Sequence, residues 1–242
     1  MNSLDQFTSQ YKPGAVTYTE NDLVLHWYPQ RIIERLGDTA SLSLLELGLG
    51  HGISARQFHP RFKSHTVIEG SREVISQFTA KQPIEGLRIV EGYFESFVTA
   101  ERYDVIVMGF VLEHVDDPAL IVSHYRAMLK PGGRLFVAVP NAKSLNRRLG
   151  AALGKIKDIY ELNANDHLLG HQRQFCLDTL KSLMTAQGYG VCWQEGIYLK
   201  PLPLAVLQTM PDVQENLVAM CKVGVDFPEL CVGLLIEAVP VA

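Results

Sequence analysis

The stretch Glu46-Leu47-Gly48-Leu49-Gly50-His51-Gly52 (ELGLGHG) decides how this chain is read. It follows the apolar run LSLL (42–45), where a first strand gives way to a turn. Glycines at alternate positions let a ligand approach the backbone closely. A dinucleotide loop needs G-x-G-x-x-G, but here the third glycine falls one place early and position 53 is Ile. Glu46 would repel a pyrophosphate and suits an ammonium or sulfonium cation instead. The second apolar run ends at Glu69, 19 residues past Gly50, close to the ~20 expected of a carboxylate that grips ribose hydroxyls. A ligand with a ribose, a positive charge and no phosphate fits these features, and S-adenosylmethionine has all three.

Working outward, apolar runs at 42–47, 65–70, 87–92, 103–110 and 134–140 alternate with helical patterns. That alternation predicts right-handed βαβ crossovers and a parallel sheet covered on both faces. VIVMGFVL and RLFVAV are almost continuously apolar, as doubly buried strands are. A helix is expected from Pro118, stopped by Pro131-Gly132-Gly133, and a helical preface over 1–40 is expected to break near Pro29. Residues 141–176 read as a lid insertion. Residues 177–242 read as a helix and a strand hairpin with a helical insertion at 203–226. The expected fold is a Rossmann-like αβα arrangement, one domain with a cofactor core at 41–140 and a mostly parallel sheet whose last strand is antiparallel.

The chain has 242 residues, is 47% hydrophobic and 20% charged, and carries a formal charge of −4. That composition builds a full core and argues against nucleic acid as a partner. Cys176, Cys192, Cys221 and Cys231 form no CxxC pair, which suggests reduced thiols in a cytoplasmic protein. No apolar run is long enough for stable membrane insertion, and a monomer or homodimer is expected.

Four segments, LLELGLGHG (44–52), VIEGS (67–71), YDVIVMGFVLEHVDDP (103–118) and LKPGGRLFVAVPN (129–141), together resemble the class I S-adenosylmethionine-dependent methyltransferases. More weakly, 170–189 resembles the branch with ubiquinone-type and sugar methyltransferases. The resemblance implies that Glu46, Gly48, Leu49, Gly50 and Gly52 hold the methionine end and Glu69 the ribose. Gly70 and Ser71 would lie beside the ribose and adenine. Adenine would rest on GYFESF (92–97), where Tyr93 replaces the Asp of many relatives, leaving Phe94 to stack and Glu95 as a polar partner. Met108 and Gly109 would close the pocket.

The acceptor is expected over the crevice between the first and fourth strands. Glu113 and His114 emerge there. His167, His171 and Arg173 lie in the lid, and Asn141 leaves the fifth strand. A histidine suits removal of an acceptor proton, so His114, His171 and His167 are the candidate catalytic residues. Arg173 would meet an acidic acceptor group. Tyr11, Tyr18 and Trp27 are candidate lid aromatics, with core packing the alternative for Trp27. Asp116 and Asp117 precede Pro118 as a helix N-terminal pair, and no metal is expected. The expected reaction is O-methylation of a small polar metabolite such as a sugar, a nucleotide-sugar or a phosphorylated relative. N-methylation, quinol O-methylation and a non-catalytic scaffold are the alternatives.

Overall fold

The computed structural model describes residues 18–81 and 83–241. Tyr11 lies outside them, and Tyr18 is described in its backbone only. One seven-stranded sheet organises the molecule, in the order β3-β2-β1-β4-β5-β7-β6. The strands are β1 Ser43–Leu47, β2 Ser64–Glu69, β3 Arg88–Glu91, β4 Tyr103–Gly109, β5 Leu129–Pro140, β6 Tyr189–Ile197 and β7 Gly233–Pro240. The β1 strand pairs parallel with both β2 and β4, and β7 runs antiparallel to its two neighbours. The chain therefore reverses its winding between β1 and β4, opening a crevice at their carboxyl ends.

Alternation along β4 shows how an unbroken apolar run serves two faces. Ile106 and Met108 join one cluster with Tyr125, Leu180 and Met184, while Val105 and Val107 join another with Tyr28, Phe58 and Leu217. The first face is covered by α4 (Pro118–Arg126) and α7 (Leu177–Ala186). The second is covered by α1 (Tyr18–Leu36), α2 (Ile53–Phe58) and α9 (Val213–Gly224). A third cluster joins Leu49, Ala55, Val67 and Val74 to Phe78 of α3 (Arg72–Lys81). No described helix is long and apolar enough to cross a membrane.

Two expectations about helix ends fail for physical reasons. The α1 helix runs unbroken through Pro29. A proline there costs ~3 kcal/mol, but Tyr28 and Ile32 are fully buried, and Arg31 and Arg35 bond Glu195 and Glu237 of the sheet. Tertiary anchoring thus outweighs the local break. The α4 helix stops at Arg126, ahead of Pro131-Gly132-Gly133. Those three residues lie inside β5, where the register against β4 shifts and Gly132 takes φ +76°. The other strand ends differ from expectation by a few residues. In the lid the described helices are α5 (Leu145–Ala152) and α6 (Ala164–Leu169), and α8 (Leu204–Leu207) precedes α9.

Candidate active site

A cleft of about 860 Å³ opens over the crevice. Its floor is the glycine loop. Gly48, Gly50 and Gly52 have φ of +84°, +48° and +70°, a region that penalises any side chain. A Cβ on Gly52 would overlap the Phe78 ring, and one on Gly109 would overlap Tyr28. Gly48 and Gly50 bring bare backbone to the cleft, whereas Gly52, expected to hold the cofactor, packs against Phe78 and does not line it.

Glu69 secures this loop. Its two oxygens accept the Leu49 N–H at 2.9 Å and the Ser71 N–H at 2.7 Å. Burial raises its proton affinity, and backbone N–H groups from Ser71, Leu49, Gly50 and Gly70 oppose that rise. Glu69, Gly70, Ser71, Tyr93, Phe94 and Glu95 all line the cleft with the loop. Phe94 is half-buried, and its backbone carbonyl accepts the Tyr125 hydroxyl at 3.0 Å. Tyr93 is nearly half exposed at the rim.

The structure places Glu46 and Met108 away from the cleft. Strand alternation turns Glu46 to the face under α1 and α2, where its Oε2 lies 3.0 Å from His65 Nε2 with both side chains buried. Met108 is packed in the opposite core. Gly109, next along the strand, does line the cleft.

The far end of the cleft, where the acceptor was expected, forms where β4 exits. Glu113 is 1% exposed, and among the described residues neither of its oxygens accepts a hydrogen bond. Burial pushes its carboxyl up to about 7, against the opposing pull of His171 and Arg173. His114 Nε2 lies 3.9 Å from Glu113 Oε1, and the His114 and His171 rings meet edge to face at 4.8 Å. Burial and the neighbouring His171 push His114 below its ordinary range, and 38% exposure of its side chain limits that effect. Its Nδ1 faces the Gly170 carbonyl at 3.3 Å. His171 Nδ1 sits 3.3 Å from Asp166 Oδ1. Asn163 caps α6 through a capping box with Asp166, so the same local device that starts this helix also fixes the carboxylate facing His171. Glu113, His114 and His171 each offer a ligand atom within 4.8 Å of the others. That spacing would accept a divalent ion, a possibility the sequence did not suggest.

Three expected acceptor contacts are turned elsewhere. Arg173 donates to the carbonyls of Leu112, Val115 and Asp116, and pins the returning lid to the β4 exit. Its donors are spent on backbone, so it offers little to an acidic acceptor. Asn141 gives its Nδ2 to the Pro228, Glu229 and Cys231 carbonyls, and its Oδ1 accepts the Lys143 N–H. His167 is exposed on α6 and does not line the cleft. Among the described side chains of α1, the aromatic that reaches the cleft is Tyr28, one position beyond Trp27. Helical phase alone selects between such neighbours, and a break at Pro29 would have hidden it. Asp166 was missed as well, although the pattern Asn163-x-x-Asp166 is a capping signal.

Residues 25–192 match the methyltransferase domain family. The chain belongs to that family. Its relatives include the ubiquinone biosynthesis O-methyltransferase of Acinetobacter baumannii (strain ACICU), 30% identical over 138 residues, or 55% of each protein. The chain thus spans about half the length of the curated ubiquinone relatives it matches. A Haloferax volcanii putative methyltransferase complexed with the activator Trm112 shares the fold at TM-score 0.64 and 16% identity, covering 98% of both chains. The Burkholderia thailandensis 1,6-didemethyltoxoflavin-N1-methyltransferase, solved with S-adenosylhomocysteine, also gives 0.64 at 16% identity, covering 98% of this chain and 87% of that one. S-adenosylmethionine is the cofactor of this methyltransferase domain. The bare glycine cradle and the Glu69 carboxylate at its edge fit such a group.

Proposed function

We propose that this methyltransferase acts on a small polar acceptor, at an oxygen of a sugar, a nucleotide-sugar or a related metabolite. The observation that carries this reading is the polar far end of the cleft, where buried Glu113 meets His114 and His171 beneath the lid. A group with hydroxyl donors satisfies that end, whereas an apolar tail leaves Glu113 desolvated and without a donor. A phosphorylated acceptor loses its support, because Arg173 is committed to backbone carbonyls.

S-adenosylmethionine bound on the glycine cradle would supply an electrophilic methyl group. The chain's own work is positioning and exclusion of water. Gly48 and Gly50 present backbone, and Glu69 and the 93–95 segment bound the adenosyl end. Gln172 and Arg173 hold the lid down: the Gln172 N–H meets the Glu113 carbonyl at 2.8 Å, and its side chain meets the His114 carbonyl at 2.7 Å. His171, oriented by Asp166, faces the acceptor. Calorimetry with S-adenosylmethionine and S-adenosylhomocysteine tests the reading, with binding expected well below millimolar. A screen of sugars and nucleotide-sugars by product mass then identifies the acceptor. Absence of cofactor binding overturns the reading, and a methylated amine as the only product moves it to N-methylation.

A further inference from the structure

We propose that Glu113, His114 and His171 bind a divalent first-row ion of the zinc class at the far end of the cleft, with an open position for the acceptor's oxygen. The binding stands on geometry; the role toward the acceptor rests on the methyl-transfer reading above. Glu113 and His114 leave β4, His171 lies on the returning lid, and their ligand atoms all fall within 4.8 Å of one another. Bonds of ~2.1 Å to nitrogen and oxygen hold the ligands of one ion ~3–4 Å apart. Small side-chain rotations close that difference, and His114, the most exposed of the three, has room for one.

Glu113 supplies the second observation. Its side chain is 1% exposed and lines the cleft, and neither oxygen accepts a hydrogen bond from any described residue. An ordinary polar cluster would pair it with a histidine. Instead its Oε1 is 3.9 Å from His114 Nε2, too far for a hydrogen bond. Buried carboxylates are paired or coordinate metals, and a cation in the cleft would supply the missing partner.

Both imidazoles are oriented as ligands are. His114 turns Nδ1 to the Gly170 carbonyl, and His171 turns Nδ1 to Asp166 Oδ1, each at 3.3 Å, which leaves the two Nε2 atoms to ligate. A carbonyl or carboxylate behind the ring is the outer shell that fixes metal-bound histidines. Asp166 is itself held by the Asn163 N–H at 2.8 Å. Asp166 is therefore a positioning residue for His171.

Two imidazole nitrogens and one carboxylate oxygen suit zinc and its first-row neighbours, whereas magnesium and calcium take oxygens. Three protein ligands leave at least one position open to the cleft. An acceptor hydroxyl fits there, and the ion then acts as a template for the acceptor oxygen. Asp116 and Asp117, the acidic pair of the sequence, take no part: Asp117 caps α4, and Asp116 accepts the Gln172 side chain.

The test is calorimetry of the metal-stripped full chain with Zn2+ and with Mg2+. One Zn2+ is expected per chain, at about micromolar Kd or tighter, with Mg2+ about 100-fold weaker or more. Glu113→Gln, His114→Gln and His171→Gln should each weaken Zn2+ about 10-fold or more. Asp166→Asn, which keeps an oxygen for the Asn163 N–H, should weaken it about 10-fold. His26→Gln, at an exposed histidine of α1, should leave it unchanged. His114→Gln, at the most exposed ligand, carries the test where the buried variants fail to fold. Absence of a micromolar Zn2+ site overturns the proposal, and so does a site that survives His114→Gln. Mg2+ binding as tight as Zn2+ overturns the zinc class. Zn2+ affinity unmoved by Asp166→Asn overturns the role of Asp166. Methylation of the acceptor found by product mass should be lost from stripped protein and restored by Zn2+; equal rates with and without metal overturn the template role. Failure of S-adenosylhomocysteine to bind counts against the methyltransferase reading. Its binding by a chain that takes no Zn2+ counts against this proposal alone.

Discussion

Glu237 and Glu113 are both almost fully buried glutamates, and their surroundings differ in kind. Glu237, on β7, receives Arg134 Nε at 2.5 Å and Arg35 Nε at 2.8 Å. Burial pushes its carboxyl up, but the bonds from Arg134 and Arg35 outweigh that and hold it below the ordinary range. Glu113 has no such donor and is pushed up to about 7. The first carboxylate is a fixed charge that ties α1 and β5 to β7. The second is a buried carboxyl that lines the cleft and receives no donor among the described residues. Burial alone therefore says little about role, and the count of donors separates scaffold from site.

The largest effect should come from stripping Glu237. Arg35→Met with Arg134→Met leaves a buried carboxylate unpaired, and should cost about 3–5 kcal/mol in chemical denaturation at pH 7. A loss under about 1 kcal/mol would erase the contrast between the two glutamates.

Next in size is the reverse experiment at Glu113. Its folded-state value lies above the ordinary glutamate value, so the fold favours its neutral form. Its penalty is absent below about 4.5, grows as pH rises, and is complete above about 7. Glu113→Gln should therefore stabilise the protein by about 1–3 kcal/mol at pH 8, and by little near pH 4.5, in denaturation series at both pH values. Stabilisation together with lost activity would mark a site kept at the expense of the fold. Destabilisation at pH 8 would instead give Glu113 a structural role.

Glu69 stands between the two, satisfied by backbone N–H groups and not by arginines. Glu69→Ala removes the acceptor for the Leu49 and Ser71 N–H groups, and should weaken S-adenosylhomocysteine binding by about 1–2 kcal/mol in calorimetry. Unchanged affinity would show that Glu69 only braces the loop.

Much of this was open to reading from one dimension. Alternating apolar runs gave the mostly parallel sheet, the family resemblance gave the reversal between β1 and β4, and the glycine spacing gave the loop. Glu69, Gly109, Glu113, His114 and His171 all line the cleft as expected. Glu46 and Met108 did not follow, because a strand's side chains alternate faces, and a carboxylate beside a loop in sequence can point beneath it in space. Arg173 and Asn141 looked like ligand groups. Only the folded lid supplies the carbonyls that use up their donors. Pro29 carried a strong local signal, and long-range ion pairs overrode it.

The sequence by itself determined the glycine loop and the alternation of strands and helices, because these rest on local backbone freedom and on hydrophobic period. Only the tertiary structure decided which buried carboxylate has partners. Donors for Glu237 come from residues 103 and 202 positions away, whereas Glu113, at the end of the crevice, has His114, His171 and Arg173 near it and accepts no side-chain donor from them. Hydrogen-bond satisfaction is a property of what the fold brings together, and no window of sequence contains it.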